Sequence, residues 1–215
     1  MVLPLPFSRM NSPVLARPVV LADLTPGLGN RTILRNAVLV TGFALLTAVA
    51  AQVSIPLGFT PVPLTGQTLA VLLAGASLGR ARGAASQALY WLMGLVGLPF
   101  YSGGAGGWDA GTGSTLGYLV GFVAAAAVVG HLAEQRHDRR VVTSLSAMAL
   151  GTAVIYACGA AWLSFDLGIP LATGEKNAVS LGITPFIVGD AIKMILAGLL
   201  TPAVWAVVSG TNDRD

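Results

Sequence analysis

The stretch Pro185–Leu200, PFIVGDAIKMILAGLL, is apolar except for a carboxylate at Asp190 and an ammonium at Lys193. Residues three apart on a helix share a face. Each charge carried to the middle of a membrane-spanning helix costs roughly 2.5–3.5 kcal/mol. Such a pair persists either as an ion pair locking one helix to its neighbour or as part of a solvated ligand site. Which setting applies follows from composition. Of 215 residues, 54% are hydrophobic and only 10% are charged, against about 25% charged in ordinary soluble domains. The mean hydropathy of +0.76 agrees. The apolar residues run together in blocks of about 20 rather than alternating, so the expected class is an all-α, polytopic membrane protein and not a barrel. The formal charge of +3 is too small to suggest nucleic acid. The single cysteine, Cys158, lies inside an apolar block and reads as a small buried hydrophobe.

Six blocks can be marked as transmembrane helices: Leu34–Ile55, Pro61–Gly79, Gly83–Pro99, Thr115–Leu132, Val141–Phe165 and Ile183–Val208. Residues 1–30 contain five prolines and no unbroken apolar core, and read as a poorly ordered cytoplasmic tail. Residues 31–210 form the membrane domain. The connections alternate in charge. Arg9, Arg17, Arg31, Arg35, Arg80, Arg82, Arg136, Arg139, Arg140 and Arg214 fall on one side, and only Lys176 on the other. The positive-inside rule therefore places both termini in the cytoplasm. Span six then enters from outside, with Asp190 about 10 Å and Lys193 about 15 Å below its start at 1.5 Å per residue.

Other features gather on that cation-poor side. The loop FYSGGAGGWDAGTGS carries Gly103, Gly104, Gly106 and Gly107, which permit positive φ and close approach to a ligand. The Pro-rich SIPLGFTPVPLTGQT leads into Gln67 and Thr68; the Gln67 amide both donates and accepts. Span one presents the small residues Ala44 and Ala48 at helical spacing, a face suited either to another subunit or to packing inside the monomer. GASLG (75–79) matches the G-x-S-x-G pattern of hydrolases, but a nucleophile elbow needs a strand–turn–helix setting, and here the motif closes an apolar helix. No P-loop occurs, and no cysteine–histidine metal cluster. No catalytic residue, cofactor or metal is expected.

Taken together, PVPLTGQTLAVLLAGASLG, YWLMGLVGLPFYSGGAGG, LGYLVGF and FIVGDAIK resemble the BioY family across about 33–208. These are the biotin-specific substrate-binding (S) components of energy-coupling-factor transporters. The resemblance implies six helices, a place in the cell membrane, and capture of biotin from outside. It assigns ligand binding to Asp190, Lys193, Gln67 and the Gly103–Gly107 loop. Asp190 would accept from a ureido N–H, and Lys193 would meet either the ureido carbonyl or the carboxylate. Tyr90, Trp91, Phe100 and Tyr118 are candidates to cover the fused rings. The implied partner is a module of two cytosolic ATPases and a transmembrane coupling protein, docked on the Ala44/Ala48 face. A stand-alone transporter, with or without homo-oligomers, and an S component for another vitamin are the alternatives.

Overall fold

The computed structural model describes residues 20–24 and 32–212, which contain eight α-helices and one two-stranded ribbon. The helices are α1 (Thr32–Gln52), α2 (Gln67–Leu78), α3 (Arg80–Leu95), α4 (Trp108–Thr112), α5 (Leu116–Glu134), α6 (Val141–Leu167), α7 (Ala178–Gly182) and α8 (Ile187–Asn212). The ribbon pairs β1 (Ser54–Ile55) with β2 (Leu64–Thr65), antiparallel, with Ser54 opposite Thr65. Four segments are long and apolar enough to cross a membrane: Ile33–Gln52, Leu116–Glu134, Val141–Leu167 and Ala178–Val208. Their outer faces carry exposed large hydrophobics, among them Val49, Leu150, Leu196 and Leu199.

The second block departs from expectation at its start. Pro61 and Pro63 disfavour helix in the residues before them, and the backbone turns and bends without forming helix until it enters β2. Helix begins only at Gln67. Gly66 makes the turn possible, because a Cβ there would lie 2.9 Å from the Ala50 carbonyl oxygen. The resulting α2 is short and central. Nine of its twelve residues are buried, against α1, α3, α5 and α8. Gly79, at φ +82, is the single residue between the end of α2 and the start of α3. The two outer glycines of GASLG thus have structural work. Gly79 makes this turn, and a Cβ on Gly75 would sit 2.7 Å from the Ala126 carbonyl oxygen of α5.

Small residues also set the α5–α6 contact. A Cβ on Gly117 would meet the Cys158 carbonyl oxygen at 2.4 Å, and one on Gly121 would meet the Ile155 Cα at 3.0 Å. With no hydrophobic driving force between helices in lipid, close backbone approach of this kind holds them together. Polar clips add to it: Ser144 and Thr201 hydroxyls join α6 to α8 at 2.8 Å, and the Gln87 Nε2 of α3 donates to the Thr47 hydroxyl of α1 at 3.2 Å.

Two expectations need correction. Ala44 and Ala48 are 2% and 6% exposed; the small-residue face of α1 packs inside the chain, and its exposed face carries Val38, Leu45 and Val49 instead. Within the segment assigned to the tail, Val20–Leu24 is folded. Val20 and Ala22 are buried beside Leu78 and Ala133, and Asp23 pairs with Arg82 at 2.8 Å. The rest of that tail lies outside the described residues.

Candidate ligand-binding site

Sequence around Pro185 positions the central pair. Ile183 leaves helical geometry, Thr184–Phe186 forms a 3-10 turn, and α8 starts at Ile187 rather than Ile183. Asp190 therefore sits in the first turn, about 5 Å from the helix start, and Lys193 about 9 Å from it. Both are nearer the helix start than the sequence suggested. A carboxylate in the first turn is favoured by the partial positive charge of the helix N-terminus.

Asp190 is buried and receives hydrogen bonds from three helices or loops. Its Oδ1 accepts from the Thr68 hydroxyl of α2 at 3.0 Å and from Lys193 Nζ at 2.8 Å. Its Oδ2 accepts from the Tyr156 hydroxyl of α6 at 2.7 Å. Lys193 also donates to the Thr65 carbonyl of β2. Beside them the Thr65 hydroxyl donates to Gln67 Oε1 at 2.8 Å, and Gln67 Nε2 donates to the Tyr90 hydroxyl at 2.6 Å. One network thus ties α2, α3, α6, α8 and the ribbon together.

This network borders a cavity of about 270 Å³. Its polar wall is Thr65, Gln67, Thr68, Asp190 and Lys193, and its apolar wall includes Leu119, Phe122, Ile155 and Phe186. All four tyrosines of the chain, Tyr90, Tyr101, Tyr118 and Tyr156, line it. Two connections cover it. The α1–α2 connection reaches α7 through the Thr60 hydroxyl, which donates to the Leu181 carbonyl at 2.9 Å. The α3–α4 loop is tied to α1 by Gln52 Nε2, donating to the Tyr101 carbonyl at 3.2 Å. Tyr118 anchors α7 by donating to the Gly182 carbonyl at 2.7 Å.

The structure brings Asp190, Lys193, Gln67, Tyr90 and Tyr118 together on the cavity wall. It does not place Gly103, Gly104, Gly106 or Gly107 among the lining residues. That loop faces the cavity through Tyr101, Ser102 and Ala105. The glycines shape it: Gly103 has φ +70, and a Cβ on Gly106 would collide with the Leu98 carbonyl oxygen at 2.3 Å. Trp91 and Phe100 stand behind the wall, Trp91 donating to the Gly111 carbonyl at 3.0 Å and Phe100 stacking on Tyr90. Tyr101, in the loop, donates to the Trp91 carbonyl at 2.6 Å, and burial pushes its phenol up to about 12. Tyr156 was not singled out from sequence. Its one signal is a hydroxyl in an apolar span, where a polar group must find a partner.

A helical membrane bundle with a covered, half-polar hollow at its cation-poor end is built to hold a small solute, and this defines the class. Comparison with known proteins narrows it. The chain belongs to the BioY family, whose model matches residues 20–210. It is 38% identical over 178 residues to the biotin transporter BioY of Rhizobium etli, covering 79% of this chain and 92% of that protein. It is 37% identical over 158 residues to the biotin transporter BioY of Thermotoga maritima, covering 74% and 88%. The fold is similar to the crystal structure of the S-component for biotin from an ECF-type ABC transporter, with a TM-score of 0.73, 27% identity, and coverage of 84% of this chain and 95% of that one.

Proposed function

We propose that this protein captures biotin from outside the cell and serves as the S component of an energy-coupling-factor transporter. The carrying observation is the Asp190 network on the cavity wall. An ionised carboxylate offers about four acceptor sites, and three are used by Thr68, Lys193 and Tyr156. The remaining site on Oδ2 suits a ureido N–H. An ammonium has three donors; Lys193 uses two within the protein, and the third serves the guest. Gln67 and Tyr90 offer further polar edges, and Phe122, Tyr118 and Phe186 give apolar surface for the fused rings and chain. The Gly103–Gly107 loop closes over the bound molecule. At about 270 Å³ the hollow is near the small end of the roughly 300–1,000 Å³ usual for small-molecule sites.

The same reading gives a multi-pass protein of the cell membrane with six spans. At twelve residues, α2 is about 18 Å long, short of a hydrocarbon core of about 30 Å. The irregular segment before it completes the crossing, which is tolerated where such backbone is buried in protein or lines a cavity. The basic connections, at the end away from the cavity, lie in the cytoplasm with both termini. Energy comes from two cytosolic ATPases through a transmembrane coupling protein. Equilibrium binding of labelled biotin to the purified protein tests the assignment. Unlabelled biotin competes and other vitamins do not; displacement by another vitamin with equal strength would overturn it.

A further inference from the structure

A second hollow, of about 520 Å³, opens at the opposite end of the bundle, between the α5–α6 turn and the last turns of α8. Three arginines line it, Arg136, Arg139 and Arg140. Arg139 lies over the Trp205 ring at 3.4 Å and 3.7 Å from Asp138, so its charge is partly answered. Arg136 and Arg140 are exposed and make no ion pair among the described residues. The nearest other carboxylate along the chain, Glu134, is engaged elsewhere, accepting from the Arg80 backbone N–H at 2.9 Å.

Arg136 is also the one non-glycine among the described residues with positive φ, at +68. It follows the cap of α5, where glycine is the usual choice, and the left-handed conformation costs other residues roughly 1–2 kcal/mol. A cation just past a helix C-terminus recovers only about 0.3–1 kcal/mol from the helix dipole, less than that strain. Next in sequence to the lining residues Thr143 and Ala206, on the membrane-length helices α6 and α8, Val142 and Val207 are 76% and 73% exposed. A cationic hollow at the ends of membrane-length helices, with exposed valines beside its lining residues, matches a molecule with an anionic head and hydrocarbon tails.

We propose that this hollow binds the phosphodiester headgroup of an anionic phospholipid, held by Arg136 and Arg140 with its chains along Val142 and Val207. Free phosphate shares the headgroup chemistry but leaves the exposed valines unused. The proposal rests on the reading that α5, α6 and α8 cross the bilayer.

The test uses the full chain purified in neutral detergent, with phosphatidylglycerol, phosphatidylcholine and inorganic phosphate as separate probes. Native mass spectrometry reads lipid retention, and the thermal unfolding midpoint reads stabilisation. Wild type is expected to retain phosphatidylglycerol over phosphatidylcholine and to be stabilised by it, with no shift from inorganic phosphate. Arg136→Gly and Arg140→Gln should each weaken that retention about fivefold, since one basic residue near an anionic surface is worth about that factor. Arg136→Gly relieves the backbone, so without lipid it should unfold no lower than wild type, separating lost binding from lost folding. Phosphatidylglycerol retained equally by wild type and both variants would overturn the proposal, as would inorganic phosphate reproducing the shift. Biotin binding by these variants is expected to be unchanged, so the outcome does not bear on the Asp190 site.

Discussion

Each end of this bundle has a buried carboxylate with a cation within three residues, and the two are used differently. Asp138, in the turn between α5 and α6, accepts from the Trp205 indole N–H of α8 and has Arg139 alongside. Burial pushes its carboxyl above the ordinary carboxylate value, although Trp205 and Arg139 oppose the shift. Asp190, at the other end, collects donors from α2, α6 and its own helix beside a hollow. One carboxylate clips a turn to a helix, and the other holds the wall of a hollow lined from several elements. Burial alone does not separate the two roles. The number of elements contributing donors does.

Exchanging the perturbation between ends should break the comparison most visibly. Asp190→Ala strands Lys193 without its carboxylate partner and is expected to abolish measurable biotin binding. Asp138→Ala should leave biotin affinity within about twofold and lower the unfolding midpoint, because it leaves the buried Trp205 indole N–H without its acceptor, a loss of about 1–3 kcal/mol. Isothermal binding and thermal unfolding on the same preparations read both. A matched loss of affinity at both ends would mean that the two carboxylates share one structural role.

Tyr156→Phe sharpens the same contrast from within the cavity. It removes one hydrogen bond to a charged acceptor, worth about 1.5–3 kcal/mol, part of which a water in the hollow can replace. About a fivefold to tenfold fall in biotin affinity is expected, with normal insertion. An unaltered binding isotherm would assign Tyr156 to packing.

The smallest effect is a pH dependence at Asp138. A carboxyl whose folded pKa lies above its unfolded one binds its proton more tightly when folded. Its contribution to stability is therefore present below the ordinary value of 3.8 and lost as pH rises through the raised folded value. Asp138→Asn removes that slope. Unfolding midpoints measured from acid to neutral pH should show the variant gaining on wild type as pH rises; a parallel course would contradict the sign.

Much of this was legible in the sequence where physics is local. The apolar runs placed α5 and α6 within about three residues of their ends, because length in hydrocarbon and basic flanks fix them. Asp190, Lys193 and Gln67 stood out as polar groups in segments otherwise suited to lipid. Helix starts near Pro61 and Pro185 were misplaced, since proline marks a break without saying how far irregular backbone continues. Ala44 and Ala48 revealed a small-residue face but not its neighbour; periodicity identifies a stripe, and only tertiary packing decides what covers it. Gly103, Gly104 and Gly107 do take positive φ, but the loop meets the hollow through Tyr101, Ser102 and Ala105, which composition alone did not mark. Tyr156 was lost because a tyrosine within an apolar helix looks like packing until its hydroxyl partner is known.

Titration of labelled biotin into purified wild type, Asp190→Asn and Lys193→Met tests the central claim most directly. Both variants are expected to insert and unfold like wild type yet bind at least about tenfold more weakly, a loss near 1.4 kcal/mol. Well-folded variants with undiminished affinity would contradict it.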